Sequence, residues 1–243
     1  MKATVWDSRR CLHGEGPTSS DISNNRVMWV DILGKMVLWR DLYTGEFGSY
    51  MNLEDTSFAI PRAAGGEILG TASGPIARDS DGTIHALPTR FDADGFADKH
   101  PTRWNDAKVA PTGDLWLGTM TYKADASEFH SDQITNRRRV WSTSEKFFGI
   151  PDGMTMDSEG GLWVAFWEGG CIRRIDSDFQ VTEVIELPVK LVTSCTFAGT
   201  DLKTLIITTS QGDLDFHDES PLAGMTFAIE LNVAGVPTNL FPG

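Results

Sequence analysis

The sequence predicts an all-β protein, a β-propeller of five blades, on three observations. A short polar or acidic segment recurs five times at a near-constant period. Each recurrence is followed, at a near-constant distance, by a strand-like apolar run. No helical hydrophobic period extends over any long window. The five openings are His13-Gly14-Glu15-Gly16-Pro17, Thr56-Ser57-Phe58, Trp104-Asn105-Asp106, Pro151-Asp152-Gly153 and Thr193-Ser194-Cys195. With Glu15, Ser57, Asn105, Asp152 and Ser194 as markers, the steps are 42, 48, 47 and 42 residues. The runs centre on Trp29, Leu69, Trp116, Trp163 and Ile206, which lie 14, 12, 11, 11 and 12 residues after their markers. Equivalent positions of a propeller converge on one axis, so the markers are the first place to look for chemistry.

The fourth repeat gives the blade in outline. Met154-Thr155-Met156 leads through the turn Ser158-Glu159-Gly160-Gly161 to Leu162–Phe166, and Glu168-Gly169-Gly170 turns the chain into Cys171–Asp176. Val181–Leu187 closes the blade. Glycine serves these hairpins because it takes positive φ without a steric penalty. The second repeat uses the same device at Ala64-Gly65-Gly66 and Asp79-Ser80-Asp81-Gly82. The third is irregular: after Gly118-Thr119-Met120, Tyr122–Asp132 is polar and without alternation, and predicts a long loop before the strand-like Arg139-Val140-Trp141. Ala3-Thr4-Val5-Trp6 precedes the first marker and is expected to pair with the last repeat around Thr226–Leu231, closing the ring. No low-complexity or Pro/Ser-rich linker interrupts the chain, so residues 1–243 read as a single domain.

Charge excludes some functions. Twenty-one basic against thirty-four acidic residues leave a net charge of −13, which repels nucleic acid and anionic membrane surfaces. No apolar run spans a bilayer and no basic-then-apolar leader follows Met1. Cys11, Cys171 and Cys195 form no C-x-x-C pair and read as reduced core thiols of a cytoplasmic protein. There is no G-x-S-x-G elbow, H-E-x-x-H, Walker loop or dinucleotide fingerprint. Asp79–Gly82 and Asp92-Ala93-Asp94-Gly95 lack the later ligands of an EF-hand and read as hairpin turns. His13 reads as a structural histidine, and Thr193-Ser194 as hydroxyls in marker register.

Several ordered motifs resemble the gluconolactonase/regucalcin (senescence marker protein, LRE-like) family. They are Gly14-Glu15-Gly16-Pro17, Trp29-Val30-Asp31-Ile32, Arg103-Trp104-Asn105-Asp106, Leu117-Gly118-Thr119-Met120, Ile150-Pro151-Asp152-Gly153-Met154, Gly161–Ala165 and Thr193–Gly199. The resemblance implies a six-bladed propeller that hydrolyses sugar lactones with one divalent metal ion (Ca, Zn or Mn) in the central channel. It implies Glu15 and Asp152 as metal ligands, and Arg103 and Asn105 as substrate-binding residues. The sequence departs from the family by about one blade, between Met120 and Gln133. The N-G-L motif that carries the family's metal-binding Asn has no counterpart, and Lys123 or its neighbours stand where an acidic residue follows G-T-M. A five-bladed ring is therefore expected, with a narrower channel into which Asn105 turns as a third ligand.

A lactone is an ester, and its hydrolysis requires a polarised carbonyl and an activated water, both within reach of a divalent cation held by oxygen donors. Asp152 is expected to act as ligand and general base, Glu15 as ligand, and Arg103 as a partner of sugar hydroxyls or of the oxyanion. Each also has an ordinary alternative: Glu15 as a turn cap, Asp152-Gly153 as a turn pair, Asn105-Asp106 as an Asx-turn. The common register across repeats favours function. The expected partner is a small molecule, a sugar lactone, with no nucleic acid and no membrane; the sequence sets no oligomeric state. The rival readings are a non-catalytic metal- or small-molecule-binding propeller that lost activity with the missing blade, and an enzyme acting on phosphoesters or non-sugar lactones.

Overall fold

A computed structural model describes residues 2–19, 25–87, 102–121, 138–142, 148–212 and 217–243. Its described residues contain eighteen strands in five antiparallel sheets and no helix, hence none long and apolar enough to cross a membrane. The first sheet holds β2 (Gly14–Ser19), β3 (Arg26–Asp31), β4 (Met36–Asp41) and β5 (Phe47–Met51) in sequence order. The second holds β6 (Thr56–Pro61), β7 (Glu67–Thr71), β8 (Gly74–Arg78) and β9 (Ile84–Ala86). In the third, β10 (Thr102–Val109) pairs with β11 (Leu115–Thr121). The fourth runs β12 (Ile150–Met156), β13 (Leu162–Trp167), β14 (Cys171–Ile175) and β15 (Val181–Glu186). The fifth is built from β16 (Val192–Ala198), β17 (Thr204–Thr209) and β18 (Thr226–Glu230), with β1 (Thr4–Asp7) on its outer edge.

Up-and-down sheets of this kind follow from tight glycine turns. Gly160, at φ +83°, lets Gly160 N–H reach Asp157 O at 3.1 Å, so β12 folds directly back as β13. The Asp79–Gly82 segment is a hairpin turn closed by Gly82 N–H to Asp79 O at 2.8 Å. The Asp92–Gly95 segment and the Tyr122–Asp132 loop lie outside the described residues. Arg139-Val140-Trp141 forms no strand, contrary to its pattern. Trp141 instead sets its ring edge-on against Phe166, with centroids 5.6 Å apart, so burial of the indole takes precedence over strand pairing.

The terminal strand closes the fifth sheet as its sequence requires, with Thr4 opposite Ala228 and Val5 opposite Phe227. Asp7, at its end, is almost fully buried and ties the first sheet to the fifth. Its carboxylate accepts Arg9 Nε at 2.9 Å and Arg9 Nη2 at 2.8 Å, with Arg40 Nη1 at 3.5 Å. The Arg9 guanidinium lies over the rings of Trp29 and Phe47, and Arg40 over that of Trp6. Burial by itself raises the Asp7 pKa, but the Arg9 hydrogen bonds and the two arginine charges outweigh it and hold it below the usual carboxylate range.

Neighbouring sheets pack face to face. Trp163 meets Phe197 edge-on at 6.1 Å between the fourth and fifth sheets, and both are fully buried, each contributing roughly 2–3 kcal/mol of apolar burial. β2 and β16 are in contact, as are β16 and β12, β2 and β6, and β6 and β10. The innermost strands therefore converge on one axis. One junction differs. Among the described residues no packing of comparable extent joins β10–β11 to β12–β15. β6 and β16 are buried throughout, whereas β12 has no buried residue. Beside this junction Trp141 packs against the core of the fourth sheet, its ring edge-on to Phe166.

The Asp7 cluster makes a prediction. Asp7→Ala leaves two arginines without their carboxylate and is expected to cost about 1–3 kcal/mol, measured by urea denaturation at pH 7. Because the folded pKa is depressed, this contribution is present above the ordinary aspartate pKa and is lost as pH falls through the folded value. Wild type and variant should therefore converge in stability below about pH 4.

Candidate active site

All five innermost strands carry a register irregularity, and in every case it falls at the marker. The shifts lie between Glu15 and Thr18, Thr56 and Ala59, Trp104 and Ala107, Pro151 and Met154, and Val192 and Ser194. A bulge inserts a residue into one strand of a pair and re-aims the local side chains, and bulges cluster beside active sites. The recurring motif is thus a recurring bulge. In the first repeat Gly16 occupies φ +55°, which a larger residue adopts only under strain, just before Pro17. The turned backbone brings Gly16 N–H to Glu15 Oε2 at 2.5 Å.

The five markers separate into two groups. Ser57 is buried and donates to Gly70 O at 3.1 Å within its own blade. Thr193 is buried and donates to Gly14 O at 2.6 Å, tying β16 to β2, while Ser194 is buried against Gly153. These hydroxyls serve packing. Glu15, Asn105 and Asp152 instead keep part of their surface open to water, although Glu15 and Asp152 are walled by protein, the condition of side chains deep in a narrow axial space.

The electrostatics bring these residues together. Burial raises the Glu15 pKa well above its ordinary value, and the charges of Asp152 and Asp106 raise it further. Asp152 is pushed up to about 7, by burial first and then by Asp106, against a lowering hydrogen bond from Gly153 N–H and the Arg103 charge. Glu15, Asp106 and Asp152, from the first, third and fourth repeats, thus share one field. Asp106 is the member that the sequence reading left out. Its signal was its place inside the Asn105-Asp106 marker, and its Oδ1 accepts Ala107 N–H at 2.7 Å. Arg103 Nη1 donates to Trp104 O at 2.9 Å and to Asn105 Oδ1 at 3.2 Å, so the Asn105 amide oxygen is engaged by its neighbour. His13 is structural: its Nδ1 lies 3.2 Å from Ser210 Oγ and its ring 5.5 Å from that of Trp167. Cys11, Cys171 and Cys195 are free and buried, and burial pushes Cys195 up to about 12, far from thiolate chemistry.

A buried carboxylate raised by a second one, as Glu15 is by Asp152, favours a cation nearby, and carboxylate oxygens suit a hard divalent ion. Among the described residues no three His, Cys, Asp or Glu side chains gather closely enough to hold a metal by themselves. A cation at this site would therefore take carboxylates from Glu15 and Asp152 and fill its remaining positions with amide or water oxygens. A surface cleft of about 520 Å³ lies elsewhere, lined by Glu168, Glu186, Lys190 and Asp218 among others; it contains none of these residues.

The profile of the SMP-30/Gluconolactonase/LRE-like region matches residues 13–131 and 123–211. The chain belongs to this family. The zebrafish (Danio rerio) regucalcin is 28% identical over 286 aligned positions, covering 95% of each chain. A pentonolactonase of Haloferax volcanii is 28% identical over 291, covering 98% of this chain and 97% of its own. The crystal structure of a calcium-binding regucalcin from Agrobacterium tumefaciens superposes with a TM-score of 0.83 at 23% identity, covering 100% of this chain and 99% of that one. The fold is accordingly the β-propeller type of this family. An alignment of 286 positions leaves at least 43 (286 minus 243) opposite a gap in a 243-residue chain. The two profile matches overlap at residues 123–131.

Gly153 gives the test of this geometry. A Cβ there would lie 2.2 Å from Ser194 Oγ and 3.0 Å from Ser194 Cα. Gly153→Ala is expected to push β12 from β16, cost about 1–3 kcal/mol in thermal or urea melts, and displace Asp152.

Proposed function

We propose that this protein is a divalent-metal-dependent hydrolase of sugar lactones, built as a five-bladed propeller with Glu15 and Asp152 as its protein carboxylate ligands. The observation that carries the reading is the pair of carboxylates from non-adjacent repeats, set at equivalent bulges and each raised in pKa by burial, with Glu15 raised further by Asp152. Membership of a family that includes a pentonolactonase supports the substrate class. The blade count is supported by the five sheets and by the five markers spaced 42–48 residues apart.

When bound, the divalent ion supplies Lewis acidity to the lactone carbonyl and lowers the pKa of water. The chain's own residues supply the rest. Asp152 accepts the proton of the attacking water. The water oxygen bonds to the carbonyl carbon, the ring C–O bond breaks, and the ring oxygen takes a proton to leave a hydroxy acid. Arg103 steadies the developing oxyanion or the sugar hydroxyls. Asn105, its Oδ1 accepting from Arg103, is positioned as a substrate anchor and keeps a second lone pair for a cation.

Acid release from glucono-δ-lactone tests the reading. Protein stripped with chelator should be inactive and regain turnover with Ca²⁺, Mn²⁺ or Zn²⁺, and Asp152→Ala should lose at least about a hundredfold, the usual contribution of a general base alone. A folded protein that binds cation but turns over no lactone with any metal would be the non-catalytic binding propeller instead.

Acid should weaken the cation site. Ligation requires the deprotonated carboxylates, and both pKa values are raised, so protons compete with the ion as pH falls through about 7. Calorimetric Mn²⁺ affinity is expected to fall at least about tenfold from pH 8 to pH 6, with proton release on binding.

A further inference from the structure

The outer strand of a blade has an edge with no partner in its own sheet, and proteins blunt such edges with charge, brevity or cover. The outer edges of three four-stranded sheets follow this rule. β15 carries Glu183 and Glu186, with Lys2 bridged to Glu186. β1 is flanked by Lys2, Arg9 and Arg10, and β9 is three residues long with His85 at its centre. β5 breaks the rule. Residues 47–53, its five residues and the two that follow, contain no charged side chain. Leu53, Met51 and Phe47 are 96%, 74% and 64% exposed, three of the four most exposed large apolar side chains among the described residues. Residues 25–87, which hold β4, β5 and the whole second sheet, are described without a break.

The ladder decides which backbone groups of β5 are left over. Asp41 N–H donates to Glu46 O at 2.7 Å and Asn52 N–H to Lys35 O at 2.8 Å, and the register between them runs without a shift. Bonded residues alternate in an antiparallel pair, so Gly48 and Tyr50 bond to β4, and the N–H and C=O groups of Phe47, Ser49 and Met51 point outward. Among the described residues these outward groups have no hydrogen-bond partner. The side chains of the same three residues share one exposed face, whereas Tyr50, on the other, packs into the core of the first sheet beneath the Arg78 guanidinium. Arg9 orders the strand: its Nη1 donates to Gly48 O at 2.9 Å and its guanidinium lies over the Phe47 ring. An edge already ordered loses little entropy on pairing.

This strand is complementary to itself. A two-fold axis through Ser49 sets Ser49 opposite Ser49 of a second copy and Phe47 opposite Met51, all as bonded pairs, with about six N–H···O bonds across the junction. Phe47 and Met51 then meet as cross-strand neighbours on the exposed face. An axis through Phe47 instead runs the pairing into the 41–46 turn, and one through Met51 sets Phe47 against Asp55. Copies of a chain with net charge −13 repel one another, and this uncharged stretch is where they approach at least cost. At about 150–250 Å² per large side chain, the three exposures amount to about 450 Å², and the backbone edge brings the strand to roughly 600 Å². Two copies bury about 1,200 Å², the lower end of the range for specific interfaces, which suits a reversible dimer.

We propose that the outer edge of β5 is a homodimer interface, in which two copies join their first sheets into one continuous antiparallel sheet about Ser49. β5 lies three strand spacings, about 14 Å, from β2, which carries Glu15, so pairing leaves the axial site open. The assignment is independent of the lactonase reading.

Sedimentation equilibrium of the full chain tests it, at about 1–100 μM to bracket the micromolar affinity that this area supports. Wild type should show a monomer–dimer equilibrium. Ser49→Lys and Ser49→Glu each set like charges across the axis, at an exposed position whose change leaves the melting temperature in place. Each alone should lose at least about tenfold in association. Mixed in equal amounts, the two variants should regain the dimer, because opposite charges then meet on the axis, an effect that neither misfolding nor a contact elsewhere produces. A wild type that stays monomeric overturns the proposal and leaves the edge to a strand of a different protein. A dimer that both variants retain, or variants that dissociate and do not recover on mixing, overturns the pairing about Ser49.

Discussion

Each sheet in this fold has two faces to remove from water, and only its neighbours in the ring can cover them. That constraint explains most of what the strands do. Where a neighbour is present, as between the fourth and fifth sheets, Trp163, Phe197, Ile172 and Leu205 merge into one core and the innermost strand vanishes from the surface. Between the third and fourth, where no such core joins the described residues, the innermost strand β12 has no buried residue. Trp141 leaves its expected strand to pack edge-on against Phe166.

The same convergence creates the site. The bulges at Glu15, Asn105-Asp106 and Asp152 interrupt the regular pairing of three innermost strands. Small residues permit the approach: Gly153 lies so close to Ser194 that no Cβ fits. Carboxylates held there lose much of their hydration and feel one another, which raises their pKa values and favours a cation. The equivalent hydroxyls of Ser57 and Thr193 meet the same crowding by bonding to backbone carbonyls of their own or a neighbouring blade. One motif position thus serves chemistry in some blades and packing in others.

Closure at the termini shows how local and long-range terms combine. The pairing of β1 with β18 completes a fourth strand in the last sheet, a matter of backbone hydrogen bonds that any alternating strand satisfies. Asp7, Arg9 and Arg40 then bind that strand to the first sheet, in an arrangement where the arginines keep enough water for their charges and the carboxylate keeps almost none.

The amino-acid sequence by itself determined the strand content, the repeat, the terminal pairing and the register of Glu15, Asn105 and Asp152, because turn glycines, alternation and period are local or periodic properties of a chain. It did not determine that Thr193 and Ser194 would be buried, that Asp106 would join the field of Glu15 and Asp152, or that Arg103 would engage the Asn105 oxygen. Those depend on distances between blades, and no spacing within one blade encodes them.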